Sequence, residues 1–213
     1  MIKYEMIRKQ VLEAILEATA LGLIHGTSGN IAVRDFDENV IAITPSGRAY
    51  NTMTPEDIAI ISLTGEWIDG PYKPSSETPM HTAVFRARPD VGATVHLHGM
   101  YCTVMAMNGE DLLPTTPPQA EFSPIHVAPF VMPGSEALAQ AVVDTLGEGS
   151  SILLKNHGSF CAGKNIKAAM SAAIYTEEAA QMAYSAKLMG NFQPLPEQVV
   201  VDIQKMIAAD KAV

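Results

Sequence analysis

Apolar residues follow a helical spacing at the start of the chain and strand-like spacings soon after it. The residues with helical spacing are Ile7, Val11, Ala14, Ile15 and Ala18. Gly22 follows them and marks the expected end of the helix. Runs rich in β-branched residues then predict strands at 31–35, 40–44 and 58–63. The first two of these strands are joined by the four-residue segment FDEN at 36–39, three of whose residues are polar, which indicates a hairpin.

The rest of the chain alternates between the same two kinds of pattern. Helices are predicted at 77–88, 99–109, 135–146 and 165–190, with a final helix from about residue 196. Strands are predicted at 91–98, at 125–129, and in a hairpin over 150–163. The remainder of 112–134 is rich in proline and is expected to be extended. This order predicts a single α/β domain over residues 1–213, with a central, mostly antiparallel or mixed sheet flanked by helices.

Composition and charge narrow the classes of function. The chain has 213 residues, 47% of them hydrophobic and 17% charged, which is typical of a globular protein. Its net charge is −9, and the sequence contains no run of basic residues. We therefore expect neither a nucleic acid nor a membrane as partner. No apolar segment has the length of a membrane span, and the two cysteines, Cys102 and Cys161, form no disulfide framework. These features predict a cytoplasmic protein.

Two histidines lie one residue apart at the end of the strand predicted at 91–98. Because side chains alternate across a strand, His96 and His98 share one face while Leu97 lies on the other. Two buried imidazoles would need two separate sets of hydrogen-bond partners, whereas one metal ion would satisfy both. The pair by itself leaves both interpretations open.

Two further residues extend this pair to a candidate metal set. His157 lies in the turn of the predicted hairpin, and Glu77 lies at the start of a predicted helix. Three histidines and a carboxylate suit Zn²⁺, with Mn²⁺ or Co²⁺ as alternatives, and are typical of an open catalytic site. His81, one helical turn after Glu77, is either its hydrogen-bond partner or a half-buried helix histidine. The other candidates are interpreted as structural: Cys102, His25 and His126.

Three turns carry glycine and small hydroxyl residues, which can hold a phosphate through backbone N–H groups. They are GTSGN at 26–30, TPSG at 44–47 and SSE at 75–77. One turn of this kind is usually only a turn. Three in one chain, the last adjoining the candidate metal carboxylate, favour a site for an anionic small molecule.

The motifs GTSGN, TPSG, SSE, HLH and NHG, in this order and at these spacings, resemble the class II aldolase/adducin family, including its L-fuculose-1-phosphate aldolases. The resemblance extends from the first helix to about Gly190. It implies a metal-dependent aldehyde-lyase in which Glu77 ligates the resting metal, moves aside for substrate and acts as general acid/base. The implied metal ligands are Glu77, His96, His98 and His157. The implied phosphate-binding residues are Thr27, Ser28, Gly29, Asn30, Ser46, Gly47, Ser75 and Ser76.

The reaction implied by the resemblance is the reversible cleavage of a ketose 1-phosphate to dihydroxyacetone phosphate and a small aldehyde, through an enediolate stabilised by the metal. Fuculose-phosphate aldolases handle the aldehyde with two tyrosines. Here the matching segment 114–122 contains no tyrosine, and none follows Tyr184. We therefore expect a less polar or shorter aldehyde, such as acetaldehyde from a 5-deoxypentulose 1-phosphate. Glu121 and His126 are candidates to replace the missing groups.

Other activities in the family stay open as alternatives. It also contains sugar-phosphate 4-epimerases, dehydratases, and adducin head domains that lack the metal ligands. Epimerases tend to carry aspartate at the position of Glu77, so the SSE motif favours an aldolase. The resemblance further implies a homotetramer with active sites at subunit contacts and a small sugar phosphate as the partner.

Overall fold

The computed structural model describes residues 2–210. The helices are α1 (Glu5–Ala20), α2 (Thr78–Ala87), α3 (Met100–Asn108), α4 (Pro117–Ala120), α5 (Glu136–Leu146), α6 (Ile166–Leu188) and α7 (Glu197–Asp210). The strands are β1 (Asn30–Asp35), β2 (Val40–Ile43), β3 (Ala59–Ser62), β4 (Trp67–Asp69), β5 (Ala93–Leu97), β6 (His126–Ala128), β7 (Ser151–Leu154) and β8 (Gly158–Gly163). Two short 3-10 turns occupy Tyr50–Thr52 and Pro55–Asp57.

These strands form one sheet in the order β4-β3-β2-β1-β5-β8-β7-β6. Between residues 2 and 210, β6 and β7 are the only parallel neighbours, so the expected mostly antiparallel α/β fold is confirmed. Helices α1, α3 and α6 cover one face of the sheet, while α2 and α5 cover the other. The middle strand β5 is thereby enclosed on both faces.

Strand β5 divides its side chains between these two faces. Ala93, Val95 and Leu97 join the apolar core shared with α1, α3 and α6. Thr94 and His96 alternate with them and point towards α2 on the opposite face. Helix α2 therefore lies over polar side chains of β5 at its first turn, and over apolar side chains of the sheet further along.

Two elements differ from the sequence-based expectation. Strand β4 was not predicted, because all three of its side chains are exposed and it has no apolar alternation; it forms by pairing with β3 at the sheet edge. The expectation that the proline-rich segment is extended was wrong over α4. A capping box between Thr116 and Gln119 starts this short helix, and prolines fit its first turn because no N–H is needed there.

The other predicted helices and strands are present with slightly shifted ends. None of the helices within residues 2–210 combines the length and the apolar character needed to cross a bilayer. The prediction of a single domain over residues 1–213 stays a prediction, and residues 1 and 211–213 lie outside the described part of the chain.

Candidate metal centre

The four side chains predicted to bind a metal converge from four segments of the chain. Glu77 lies at the start of α2, His96 in β5, His98 just after β5, and His157 in the turn between β7 and β8. One ligand atom of each lies within 4.8 Å of those of the other three. The Nε2 atom of His96 is 2.9 Å from Nε2 of His98 and 3.1 Å from Oε2 of Glu77, and Nε2 of His157 is 3.2 Å from Oε1 of Glu77.

The donor set and its orientation fit a divalent metal ion. Nδ1 of His96 lies 2.8 Å from the carbonyl oxygen of Ser159, so Nδ1–H donates there and the Nε2 lone pair faces the cluster. Oε1 of Glu77 is buried, and within the described residues it has no hydrogen-bond partner. A cation bound between the carboxylate and the imidazoles would satisfy this oxygen.

Electrostatics at the site favour the protonation states that bind a metal. Burial alone would raise the pKa of Glu77, but the neighbouring His157 and His96, together with a hydrogen bond from Asn30, outweigh burial and hold that pKa well below its ordinary value. Burial, together with His96 and His157, lowers the pKa of His98 to about 4. At neutral pH an ionised carboxylate therefore faces a neutral His98, as ligation requires.

Behind Glu77 lies a row of buried polar side chains. Nδ2 of Asn30 donates to Oε2 of Glu77 at 2.9 Å, and Oδ1 of Asn30 lies 2.5 Å from Nε2 of His81. Nδ1 of His81 lies 2.6 Å from Oγ1 of Thr94. His81 thus contacts Glu77 through Asn30 rather than directly. The structure places Asn30 beside the carboxylate, and its expected role at the phosphate stays a prediction.

The three predicted anion-binding turns lie next to this cluster. Gly29 has a positive φ of 84°, and a Cβ there would come within 2.8 Å of the carbonyl oxygen of His96. The second and third turns are joined by backbone hydrogen bonds from Ser46 to Lys73 (2.9 Å) and from Ser75 to Thr44 (3.1 Å). The backbone N–H of Glu77 donates to Oγ of Ser75 at 3.2 Å. The turns therefore surround the start of α2, where Glu77 lies.

The predicted phosphate-binding residues differ in exposure. Those that are exposed or half-buried are Thr27, Ser28, Ser46, Gly47 and Ser76. Those that are buried are Gly29, Asn30 and Ser75. The hydroxyls of Thr27, Ser28, Ser46 and Ser76 therefore lie at or near the surface, whereas the three buried residues lie inside the turns. Binding of a phosphate by these eight residues stays a prediction.

The structure also shows supporting residues that sequence reasoning missed. The Tyr50 hydroxyl donates to the carbonyl oxygen of Gly29 at 2.7 Å, and burial raises the pKa of Tyr50 to about 12, which keeps it a donor. The carboxylate of Glu177 accepts from the backbone N–H groups of Tyr101 (2.8 Å) and Cys102 (2.9 Å), which fixes the start of α3 just after His98. No sequence pattern points to Tyr50 or Glu177. Thr94 could have been identified from the sequence, because it lies two residues before His96 and therefore on the same face of the strand.

The remaining candidates lie outside the cluster of four ligands. Cys102 is buried in the apolar core, and burial raises its pKa well above the ordinary value of a thiol. His126 is exposed and pairs with Asp111 at 2.7 Å, and His25 is exposed in the loop before the first turn. These placements agree with their interpretation as structural residues.

Comparisons with known proteins agree with this geometry. Residues 9–184 match the family described as Class II Aldolase and Adducin N-terminal domain. The chain is 35% identical over 199 residues to the 5-deoxy-D-ribulose 1-phosphate aldolase of Bacillus thuringiensis serovar kurstaki. The aligned region covers 93% of each of the two chains. It is 33% identical over 192 residues to the 5-methylthioribulose-1-phosphate/5-deoxyribulose-1-phosphate aldolase of Rhodospirillum rubrum. That aligned region covers 89% of this chain and 86% of the relative.

Solved structures show the same relationship. An L-fuculose 1-phosphate aldolase superposes with a TM-score of 0.92 at 26% identity, with 98% of both chains covered. The L-fuculose-1-phosphate aldolase of Thermus thermophilus superposes with a TM-score of 0.77 at 26% identity, covering 89% of this chain and 98% of that one. The chain therefore belongs to the class II aldolase and adducin family.

Proposed function

We propose that this protein is a divalent-metal-dependent aldolase that reversibly cleaves a 5-deoxypentulose 1-phosphate to dihydroxyacetone phosphate and acetaldehyde. The broader class, an aldehyde-lyase acting on a ketose 1-phosphate, follows from the family and from its aldolase relatives. The observation that carries the proposal is the cluster of Glu77, His96, His98 and His157 with anion-binding turns beside it. The two relatives described above, 35% and 33% identical to this chain, are both named for 5-deoxyribulose 1-phosphate, which favours this substrate over L-fuculose 1-phosphate.

The cluster would hold one divalent ion through one carboxylate oxygen and three imidazole nitrogens. Zn²⁺ suits this set best, with Mn²⁺ and Co²⁺ as alternatives. When bound, the metal supplies a Lewis acid for the negative charge that develops on the ketose oxygens.

The turns around the start of α2 would hold the phosphate of the substrate. Backbone N–H groups and hydroxyls of the turns at 26–30, 44–47 and 75–77 provide donors there, and the N-terminus of α2 favours an anion. A phosphate fixed at one end of the ketose would orient the remaining carbon atoms of the substrate towards Glu77. Binding energy from the phosphate thereby positions the reacting carbons.

Glu77 would carry the proton at C3. Its carboxylate is ionised at neutral pH and buried beside the three histidines. In cleavage the ionised carboxylate would accept the proton of the C4 hydroxyl, directly or through a water molecule, as the C3–C4 bond breaks and its electron pair stays on the dihydroxyacetone phosphate half as an enediolate. The protonated Glu77 would then deliver that proton to C3. In the synthetic direction the same carboxylate removes that proton.

The aldehyde half is where this chain departs from fuculose-phosphate aldolases. Acetaldehyde carries no hydroxyl, whereas the three-carbon aldehyde released from fuculose 1-phosphate carries one next to its methyl group. A site without a partner for that hydroxyl discriminates against the hydroxylated aldehyde. The segment 114–122 lacks the tyrosine of those enzymes. This absence supports a 5-deoxy or 5-methylthio substrate.

The proposal includes a cytoplasmic homotetramer with active sites at subunit contacts. Large apolar side chains are exposed on the C-terminal part of the chain and support a contact surface there. They are Leu188, Met189, Val199, Val201 and Met206.

A retro-aldol panel tests the proposal. Purified protein is assayed with 5-deoxyribulose 1-phosphate, 5-methylthioribulose 1-phosphate, L-fuculose 1-phosphate and L-ribulose 5-phosphate, and dihydroxyacetone phosphate is detected with a coupled dehydrogenase. Activity should be highest with a 5-deoxy or 5-methylthio substrate, disappear after chelation and return with Zn²⁺. Faster cleavage of L-fuculose 1-phosphate would overturn the substrate. Epimerisation of L-ribulose 5-phosphate without dihydroxyacetone phosphate would overturn the reaction, and a metal-free protein without turnover would support an adducin-like role.

A further inference from the structure

We propose that His81 is a positioning residue, which, held by Thr94, orients the Asn30 amide so that it keeps the Glu77 carboxylate in place for metal binding and proton transfer. The catalytic part of this inference rests on the proposed function. The structural part concerns only how the carboxylate is held among the histidines.

The contacts form an unbroken buried row. Thr94 and His81 are 0% exposed, and Asn30 is 5% exposed. The three separations along the row are 2.6, 2.5 and 2.9 Å, all short enough for hydrogen bonds. The ring of Phe160 lies 5.3 Å from that of His81 and fills the space beside it. Because these side chains are buried, bulk solvent does not replace a lost partner, and each member depends on the next one.

The chemistry of each group sets a single direction of donation. An ionised carboxylate only accepts, so Asn30 must present its Nδ2–H to Glu77 and its Oδ1 to His81. An amide oxygen only accepts, so Nε2 of His81 must carry the proton. Burial lowers the pKa of His81 to about 3, so the ring is neutral and Nδ1 accepts from the Thr94 hydroxyl.

This direction explains what His81 does for the site. Without the Nε2–H of His81, the Oδ1 atom of the buried Asn30 would lose its hydrogen-bond partner, and the amide would shift to find another donor. Glu77 would then lose the Nδ2–H that holds its Oε2 atom beside His96. The row therefore favours one orientation of the amide and, through it, one position of Oε2.

Two regular spacings produce the arrangement. Glu77 and His81 are four residues apart at the start of α2, and Thr94 and His96 are two residues apart in β5. Each spacing puts its two side chains on one face of its element. Because α2 lies over β5, Glu77 meets His96 at 3.1 Å while His81 meets Thr94. Asn30 in the neighbouring strand β1 pairs with His96 and reaches both Glu77 and His81.

The experiment compares Thr94→Val, His81→Phe and the control Thr82→Val. Thr82 is also buried, but its hydroxyl bonds only to carbonyl oxygens of its own helix, at 3.1–3.2 Å. Metal-free full-length proteins are titrated with Zn²⁺ against a competing chelator, and the visible absorption of the Co²⁺-loaded proteins reports the ligand set. Turnover with the substrate found in the panel then separates kcat from KM.

The expected result is Zn²⁺ binding weakened about tenfold by Thr94→Val and about 10- to 100-fold by His81→Phe. The Co²⁺ absorption should change in both variants, and kcat should fall with KM nearly unchanged. Thr82→Val should match the wild type. If His81→Phe fails to fold, Thr94→Val alone decides.

Zn²⁺ affinity and Co²⁺ absorption of Thr94→Val within twofold of Thr82→Val would overturn the inference. Such a result with normal turnover would leave the proposed function intact. A wild-type protein that binds no Zn²⁺ and cleaves no ketose phosphate would overturn both.

Discussion

The metal cluster and the three anion-binding turns lie side by side, but they are built in opposite ways. The cluster consists of buried and half-buried side chains that contact one another, and a second row of buried side chains holds Glu77. The turns consist mainly of backbone, with exposed side chains such as those of Thr27, Ser46 and Ser76. The difference indicates that single side-chain changes will act strongly in the cluster, whereas the turns will respond to changes in backbone conformation.

The largest expected effect is that of Glu77→Gln. An amide of the same shape cannot accept or return the proton at C3, so kcat should fall by about 10²- to 10⁴-fold while the histidines keep the metal. Steady-state kinetics and metal analysis measure the two effects. Ser76→Ala, in the adjoining turn, should lower kcat by less than about tenfold, because the exposed Ser76 hydroxyl is one of several donors predicted for the phosphate and takes no part in the proton transfer. Equal losses in the two variants would break the comparison.

A smaller effect is expected from Gly29→Ala in the first turn. The residue has a positive φ, and a Cβ would come within 2.8 Å of the His96 carbonyl oxygen, which belongs to a central strand and cannot easily move. We expect a loss of about 1–3 kcal/mol in the free energy of unfolding, measured with urea. Gly47→Ala is the matched control, since Gly47 also has a positive φ but no atom within 4 Å of its Cβ position. A larger loss at Gly47 would contradict the close approach.

The pH dependence of the metal-free protein tests the buried row behind the cluster. Burial lowers the pKa of His81 to about 3, whereas an unfolded histidine titrates near pH 6.5. Below about pH 6.5 the unfolded chain binds a proton that the folded chain does not, so stability falls as the pH falls towards 3. Between pH 6.5 and 5, His81→Phe should lose stability less steeply than the wild type, by about 1 kcal/mol per pH unit. Equal slopes would contradict a buried neutral His81, and replacement of the exposed His25 is the control.

The smallest effect is expected from Tyr50→Phe, which removes a side-chain support of the first turn. Loss of the hydrogen bond to Gly29 should lower the free energy of unfolding by about 0.5–1.5 kcal/mol. The KM for the ketose 1-phosphate should rise severalfold while kcat is retained, because the turn holds substrate and not the transferred proton. Tyr72→Phe, with a half-buried tyrosine whose hydroxyl contacts Arg48, serves as the control. A fall in kcat with unchanged KM would contradict this role and would indicate that Tyr50 supports the metal cluster instead.

Local patterns were sufficient for most elements of the fold. Helical spacing of apolar residues placed α1, helix start and stop signals around an alanine-rich run placed the long α6, and β-branched runs placed the central strands. Strand β4 escaped prediction because its side chains are exposed and only its pairing with β3 makes it a strand. Helix α4 differs from the expectation because its two prolines, which in general favour extended chain, also fit the first turn of a helix.

The sequence by itself determined the kind of chemistry at this site: two histidines on one strand face, a carboxylate at a helix start, and turns that offer N–H groups to an anion. These features depend on neighbours within a few residues. Only the tertiary structure decided that Asn30 meets Glu77 across 47 positions and that Tyr50 meets Gly29 across 21. Such contacts depend on how α2 packs over the central strands, and packing arises from the whole folded chain, so no local spacing predicts it.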